Sequence, residues 1–130
     1  MSAGQPAAAE REVVVVRTYR VQVTGRFDAP APDVREQLLA EQPAHDVYAS
    51  AFTPSGTFTY TPTLTRFTLR YLLDVDESSA AEADVVAELE GEVRAVDYLA
   101  GRGIPAKGLR TTTTCIEDVT AKRGRAGART

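Results

Sequence analysis

Two stretches of the chain largely alternate between apolar and polar positions. Between residues 13 and 27, one side carries Val13, Val15, Tyr19, Val21, Val23 and Phe27, and the other carries Thr18, Arg20, Gln22, Thr24 and Arg26. Between residues 65 and 75, one side carries Thr65, Phe67, Leu69, Tyr71, Leu73 and Val75, and the other carries Arg66, Thr68, Arg70, Leu72 and Asp74. Successive side chains of a strand point to opposite faces, so each stretch predicts a β-strand with one apolar face.

The segment from residue 49 to residue 75 has the strongest strand signals, because it is rich in threonine, phenylalanine and tyrosine. It is interrupted at Thr53-Pro54-Ser55-Gly56 and at Thr61-Pro62-Thr63, where proline presets one backbone angle of a turn. The two interruptions predict that the chain reverses twice here and forms two or three strands.

A short helix is predicted between Pro32 and Gln42. Proline is tolerated in the first turn of a helix, because its missing N–H has no partner there. Val34 and Leu38 lie one helical turn apart, so a narrow apolar stripe can pack on the sheet. Pro43 ends the helix.

A second, longer helix is predicted to begin at Ser79, which stands three residues before Glu82 in the spacing of a capping box. Gly101 and Gly103 end this helix. Its predicted sheet-facing residues recur at spacings of three and four: Val86, Leu89, Val93, Val96 and Ala100. A final strand is predicted at residues 107–119.

The predicted order of elements is strand, helix, two or three strands, helix and strand. The expected fold class is therefore α+β: a ferredoxin-like split βαβ sandwich, in which an antiparallel sheet carries two helices on one face and leaves the other face open. One domain is expected at residues 11–120. It lies between a disordered N-terminal segment at residues 1–10 and a disordered basic tail at residues 121–130.

The composition is that of one soluble globular domain, with 130 residues of which 43% are hydrophobic and 25% charged. The net charge of -3 argues against a nucleic-acid partner, since such domains present dense basic surfaces. No apolar run approaches the roughly 20 residues that cross a bilayer, and no secretory signal is recognisable, so we expect a cytoplasmic protein with no membrane partner. One cysteine and one histidine cannot complete a zinc site, and no phosphate-binding loop is present, so neither a metal nor a cofactor is expected.

Proton transfer is the chemistry that His45 could supply, because imidazole often acts as an acid or base near neutral pH. Its neighbour Asp46 need not form a dyad with it, since adjacent side chains of an extended segment point in opposite directions. A capping or surface role is the alternative for both. Arg70 could stabilise a developing negative charge, and Tyr60 or Tyr71 could donate a hydrogen bond. The predicted catalytic set is therefore His45, Arg70 and Tyr60.

Binding residues are predicted on both faces of the sheet. Arg20, Arg26 and Arg66 are candidates for contacting a carboxylate, phosphate or enolate, because guanidinium groups bind such anions in bidentate fashion. The alternative is that they pair with acidic residues of the sheet or of a partner. Tyr48 and Tyr71 are candidate walls of an apolar pocket with phenolic donors, and the alternative is that aromatic residues at alternate positions form plain core.

Several motifs resemble a family of small uncharacterised proteins from high-GC bacteria. They are Tyr19-Arg20-Val21, Gly25-Arg26-Phe27-Asp28, His45-Asp46, Ala51-Phe52-Thr53, Gly56-Thr57-Phe58-Thr59-Tyr60, Phe67-Thr68-Leu69-Arg70-Tyr71, Arg102-Gly103 and Gly108-Leu109-Arg110. The resemblance spans roughly residues 18–119 and implies no catalytic residues. More distantly, the pattern is similar to ferredoxin-like α/β-barrel proteins, which include cofactor-free monooxygenases, cyclases and isomerases.

Together these features predict a protein that binds a small, partly apolar organic molecule and acts as a cofactor-independent cyclase or isomerase of specialised metabolism. The alternative is a non-catalytic binding module or a dimeric interaction module, because no nucleophile motif or metal cluster is recognisable. The open sheet face also predicts a homodimer in which two open faces or two edge strands pair, since twofold pairing is the commonest way to cover such a surface.

Overall fold

The computed structural model describes residues 15–117, which form one four-stranded antiparallel sheet and two helices. In chain order the elements are strand β1 (Val15–Phe27), helix α1 (Pro32–Glu41), two 3₁₀ turns (Gln42–His45 and Val47–Ala49), strands β2 (Thr57–Tyr60) and β3 (Arg66–Glu77), helix α2 (Ala80–Gly101) and strand β4 (Ala106–Cys115). The predicted α+β class is confirmed. Predictions for residues 1–14 and 118–130, including the disordered ends, lie outside the described residues.

The sheet has the order β2-β3-β1-β4, and each pair of neighbours is antiparallel. The central strands β1 and β3 pair along almost their whole length, from Val15 opposite Glu77 to Arg26 opposite Arg66. It follows that β1 and β2 run in the same direction with β3 between them. Both predicted reversals are present, one before β2 and one between β2 and β3.

One face of the sheet and the buried residues of both helices form a single hydrophobic core. The sheet contributes large side chains that are at most 7% exposed: Tyr19, Val21, Val23, Phe27, Phe58, Tyr60, Phe67, Leu69, Tyr71, Leu73 and Val75. Helix α1 contributes Leu38. The predicted apolar faces are confirmed from Tyr19 to Phe27 and from Phe67 to Val75, whereas Thr65 is exposed and precedes β3. The predicted positions Val13 and Val15 have no described side chains.

The buried face of α2 differs from the predicted one. The residues that face the sheet are Ala83, Ala87, Gly91, Ala95 and Leu99, whereas Leu89, Val93 and Val96 are 45–56% exposed. Of the predicted residues, Val86 is partly buried against the core. The prediction was wrong for Leu89, Val93 and Val96 because it equated large apolar side chains with burial, while the sheet already fills the space between the layers. A Cβ atom on Gly91 would lie 2.3 Å from Cγ1 of Val21, so α2 approaches the sheet as closely as glycine allows.

Both predicted ends of α2 are present, but the predicted capping box at its start differs in one hydrogen bond. The backbone N–H of Glu82 donates to the Ser79 hydroxyl at 3.2 Å, but the Glu82 carboxylate accepts from the hydroxyl of Ser78, at 2.5 Å. The helix ends at Gly101, and Gly103 follows with a φ of +66°. Within residues 15–117, no helix is both long enough and apolar enough to span a bilayer.

Candidate functional site

A hollow of about 240 Å³ opens where β2, β3 and α2 meet the two 3₁₀ turns. It is lined by Ala44, His45, Ala49, Ser55, Gly56, Thr57, Phe58, Leu69, Tyr71 and Tyr98, and is termed the aromatic hollow. Three aromatic rings and one imidazole surround it. Such walls can pack on a small organic ring, while a few polar groups orient it.

The shape of the aromatic hollow depends on Gly56. Its φ of +92° favours glycine, and a Cβ atom there would come 2.3 Å from Cε1 of Tyr71. The turn is held by Thr53, whose carbonyl accepts from the N–H of Gly56 at 3.1 Å and from that of Leu72 at 2.8 Å. The Tyr71 ring can therefore pack against the chain only because residue 56 has no side chain.

His45 is fixed by contacts on both sides of its ring. Its Nδ1 lies 2.8 Å from the carbonyl oxygen of Phe58, and because a carbonyl only accepts, Nδ1 carries the hydrogen. The ring stacks on Tyr60, with centroids 5.6 Å apart. Nε2 is then the ring nitrogen without a hydrogen, and it lies 3.9 Å from Oε1 of Glu41. The same carboxylate oxygen also pairs with Arg102.

Glu41 joins the two helices. It accepts hydrogen bonds from Arg102 and, at 3.0 Å, from Gln37. The hydrogen bond from Arg102, followed by that from Gln37, holds the pKa of Glu41 below its usual range. Arg102 also donates to the hydroxyl of Tyr98 at 2.8 Å. Glu41 is therefore a carboxylate at neutral pH, and through Arg102 it helps to position Tyr98.

Tyr71 and Tyr98 supply two phenols to the aromatic hollow. Burial, and to a smaller extent the neighbouring Tyr98, raises the pKa of Tyr71, so this hydroxyl stays protonated and able to donate. The Tyr98 hydroxyl accepts from Arg102, which leaves its own hydrogen for another acceptor. The hollow thus combines a proton acceptor on His45 with two hydrogen-bond donors.

The opposite face of the sheet carries a set of arginines. They are Arg20 and Arg26 on β1, Arg66 and Arg70 on β3, and Arg110 on β4. The guanidinium of Arg20 lies 5.9 Å from the ring centroid of Phe52, and Arg70 donates to the hydroxyl of Thr59 at 3.2 Å. Within residues 15–117, no carboxylate forms an ion pair with any of these arginines. Pairing with acids of the same sheet therefore does not occur in the described part of the chain.

Residues 14–127 match a family whose description is "Family of unknown function (DUF6204)". The chain belongs to this family. The match confirms the expected relationship to a family of uncharacterised proteins. The chain matches no curated protein and no solved structure. Membership of DUF6204 names no ligand, so a function has to be argued from the geometry.

The structure of this DUF6204 chain divides the predicted site residues between the two faces of the sheet. His45 and Tyr71 come together in the aromatic hollow. Arg70 lies on the open face with the predicted binding residues Arg20, Arg26 and Arg66. The predicted catalytic arginine and histidine are therefore not neighbours.

Two further predicted site residues lie away from the hollow. Tyr60 is buried, and its hydroxyl donates to the carbonyl of Leu38 at 2.5 Å. Burial, followed by the nearby charge of Glu41, raises the pKa of Tyr60 to about 12. Tyr48 is 95% exposed. Neither tyrosine lines the aromatic hollow.

Glu41, Tyr98 and Arg102 are not among the site residues predicted from sequence. Glu41 precedes His45 by four residues, and Tyr98 precedes Arg102 by four, which is the spacing of neighbours on a helix. The first pair could not be recognised, because Pro43 stands between Glu41 and His45 and predicts that the helix ends before His45. The second pair is a usable signal at the end of a long helix.

The described residues offer no obvious place for a metal ion. Within residues 15–117, no group of three or more His, Cys, Asp or Glu side chains is arranged to hold one. Cys115 is buried, and its thiol donates to the carboxylate of Glu117 at 3.3 Å.

Proposed function

We propose that the protein binds a small, partly apolar organic molecule in the aromatic hollow and acts on it as a cofactor-independent isomerase or cyclase. One observation carries this proposal: His45, with Nε2 left for proton transfer, lines the same hollow as the protonated phenol of Tyr71. A base and a hydrogen-bond donor that face one ligand are the groups that proton-transfer chemistry requires.

The volume of the hollow limits the ligand. About 240 Å³ is below the roughly 300–1,000 Å³ of common ligand sites, so the expected ligand is about one substituted ring. The rings of Phe58 and Tyr98, with centroids 5.2 Å apart, offer apolar surface for it. A carbonyl group on the ligand would accept a hydrogen bond from Tyr71.

In the proposed reaction, Nε2 of His45 takes a proton from a carbon atom next to the carbonyl group of the ligand. Tyr71 donates to the carbonyl oxygen, on which the negative charge of the enolate develops. For an isomerisation, His45 returns the proton to a different atom. For a cyclisation, the enolate carbon attacks a second carbonyl of the same molecule, and the proton goes to the new alkoxide. Both outcomes leave the oxidation level unchanged.

Arg70 and Tyr60 take no part in this scheme. Arg70 faces the open side of the sheet, where it donates to Thr59, and the Tyr60 hydroxyl donates to the carbonyl of Leu38. Of the predicted catalytic residues, His45 therefore keeps its proposed role, and stabilisation of the enolate passes to Tyr71.

We also infer that the fold is ferredoxin-like. The strand order β2-β3-β1-β4, the antiparallel pairing, and the helices that follow β1 and β3 support this inference. In a split βαβ unit, two parallel strands are separated by an antiparallel one, which is the relation of β1 and β2 to β3. A fold of this kind hosts many activities, so it does not assign one.

Hydrogen exchange at carbon tests the proposed chemistry. The protein is incubated in D₂O with a panel of small cyclic ketones and 1,3-dicarbonyl compounds, and loss of the C–H signal is followed by NMR. We expect accelerated exchange in one class of compound. His45→Gln should slow it by about 10²–10⁴-fold, and Tyr71→Phe by about 10²–10³-fold.

Tyr48→Phe is the matched control, because it changes an exposed tyrosine outside the hollow and should leave the rate unchanged. Exchange at the full rate in His45→Gln would contradict the proposal. So would a ligand whose NMR contacts lie away from His45 and Tyr71.

A dimeric interaction module is the second candidate, favoured by the exposed side of α2. Val85, Leu89, Val93 and Val96 are 45–58% exposed and follow one another at spacings of four and three, so they form an apolar stripe. Two copies that pair through this stripe would cover it. Pairing through the open sheet faces would instead bring the arginines of both copies together, which is unfavourable.

Light scattering at micromolar concentration tests the homodimer. We expect a particle of twice the 14.0 kDa of one chain, and Leu89→Asp should return it to one chain. A particle of 14.0 kDa for the unchanged protein would contradict the homodimer, without bearing on the exchange experiment.

A further inference from the structure

We propose that Arg26, Arg66 and Arg110 form a binding site for a phosphate group on the open face of the sheet. This site goes beyond the proposed function, because it lies on the face opposite the aromatic hollow. It surrounds a second hollow of about 260 Å³, termed the arginine hollow, which is lined by Thr24, Gly25, Arg26, Arg66, Gly108 and Arg110.

The register of the strands brings the three arginines together. Arg26 lies directly opposite Arg66 in the pairing of β1 with β3. Arg110 lies opposite Thr24, the preceding residue of β1 on the same face. Directly opposed side chains have Cβ atoms about 4.5–5.5 Å apart. Two guanidinium groups are therefore within reach of one small anion, and the third borders the same hollow.

No acidic group of the described residues neutralises this cluster. Like charges directly opposite each other destabilise a sheet, yet within residues 15–117 no carboxylate pairs with Arg26, Arg66 or Arg110. Asp28, which follows β1, pairs with Lys107 instead, at 3.7 Å. A bound anion would offset a repulsion that the described residues leave in place.

The backbone around the arginine hollow is specialised as well. Between Lys107 and Arg110, β4 has two residues where β1 has only Gly25, so β4 contains a bulge. Gly108 lies in this bulge with a φ of +64°, and a Cβ atom there would meet nothing within 4 Å. Bulges often re-aim side chains beside binding sites. Here the bulge directly precedes Arg110, and Gly108 places no side chain in the hollow that it lines.

The charge of the cluster favours a phosphate over a carboxylate. A phosphate monoester carries about −1.5 to −2 charges at pH 7 and three acceptor oxygens, whereas a carboxylate carries a single charge and two oxygens. Each guanidinium fork can bind two oxygens of such a group. The hollow also has room for a small substituent beside the phosphate. Inorganic phosphate and a phosphate monoester share this chemistry.

An NMR titration of the full chain at fixed ionic strength tests the site, with inorganic phosphate, phenyl phosphate and benzoate as probes. We expect saturable shifts of the amides at residues 24–26, 66 and 108–110 with both phosphates, and weaker binding of benzoate. Tighter binding of phenyl phosphate would identify a monoester as the ligand class, and equal binding would identify the phosphate group alone. Benzoate binding as tightly as the phosphates, or no saturation with either phosphate, would overturn the proposal.

Variants separate a binding role from a structural one. Arg66→Gln should weaken phosphate binding about 10-fold or more, and it should raise the melting temperature of the free protein, because it removes a like-charge pair. A lower melting temperature together with unchanged affinity would overturn the binding role.

Arg35→Gln, on the exposed surface of α1, removes the same charge and should change the affinity by less than about 2-fold. Equal weakening by Arg35→Gln would reveal a general charge effect and overturn the site. His45→Gln should leave phosphate binding unchanged, so the outcome here is independent of the exchange experiment on the aromatic hollow.

Discussion

The two faces of the sheet are made by the same strands, but their side chains are used differently. On the helix-covered face, the hydroxyls of Tyr19 and Tyr60 each have an acceptor, on Asp84 and on the carbonyl of Leu38. Within residues 15–117, no buried side-chain nitrogen or oxygen lacks a hydrogen-bond partner. On the open face, arginines lie side by side without acidic partners among the described residues. The buried apolar side chains thus lie mainly on one face, and the phosphate site proposed above lies on the other.

The largest expected difference in stability between the two faces concerns substitutions of two adjacent leucines of β3. Leu73 is 5% exposed in the core, whereas Leu72 lies half-buried on the open face. Leu73→Ala should lower the free energy of unfolding by about 2–5 kcal/mol, because it leaves a cavity. Leu72→Ala should lower it by about 1 kcal/mol or less. Urea denaturation measures both, and equal losses would contradict a division of stability between the faces.

Two glycines sharpen the comparison at the helix-covered face. Gly91→Ala should destabilise the protein by about 1–3 kcal/mol, because the new Cβ atom would meet Val21, even though alanine favours a helix. Gly101→Ala is the matched control, since a Cβ atom there would meet nothing within 4 Å. It should stabilise the protein by up to about 1 kcal/mol. Thermal denaturation should therefore give changes of opposite sign, and the same sign in both would argue against the close approach of α2 to the sheet.

The faces of β1 and β3 could be predicted from sequence because alternation records which side is buried, as Arg70 and Tyr71 show. The buried side of α2 could not be predicted from sequence, because Ala87 and Gly91 are small and add little to a hydrophobic pattern. They are buried because the sheet supplies the large side chains. A helix that packs on a bulky sheet needs small residues, and that requirement is visible only when both layers are known.

The candidate site could be predicted only in part. His45 and Tyr71 stand out by their chemistry, but their meeting depends on the turn at Gly56 and on the two 3₁₀ turns. The contact between Glu41 and Arg102 joins residues that are 61 positions apart. No local pattern reports such a contact, so the electrostatic surroundings of His45 could not be read from the sequence.

The paired charges of Glu41 and Arg102 lie beside the helix-covered face, and the stability of the protein in acid tests them. This prediction has the smallest expected change in stability. The pKa of Glu41 is held low in the folded state, so below about pH 4.3 the unfolded state binds more protons and this source of stability is lost. Glu41→Gln should therefore be less stable than the unchanged protein at pH 7, and the difference should shrink on acidification to about pH 3. Glu36→Gln, an exposed change on the same helix, is the control. The midpoints of urea denaturation are measured at both pH values. A stability difference between Glu41→Gln and the unchanged protein that grows on acidification would contradict the low pKa of Glu41.

Strand β1 is central in the sheet but precedes both of its partners in the chain. Thr18 bonds Asp74, 56 residues later, and Gln22 accepts from Thr112, 90 residues later. Pairings of this range slow folding, and during synthesis β1 has neither of its partner strands until β3 has been made. Charged side chains on an unpaired strand hinder its association with other chains. Arg20 and Arg26 are therefore expected to act as gatekeepers against aggregation before the sheet has formed.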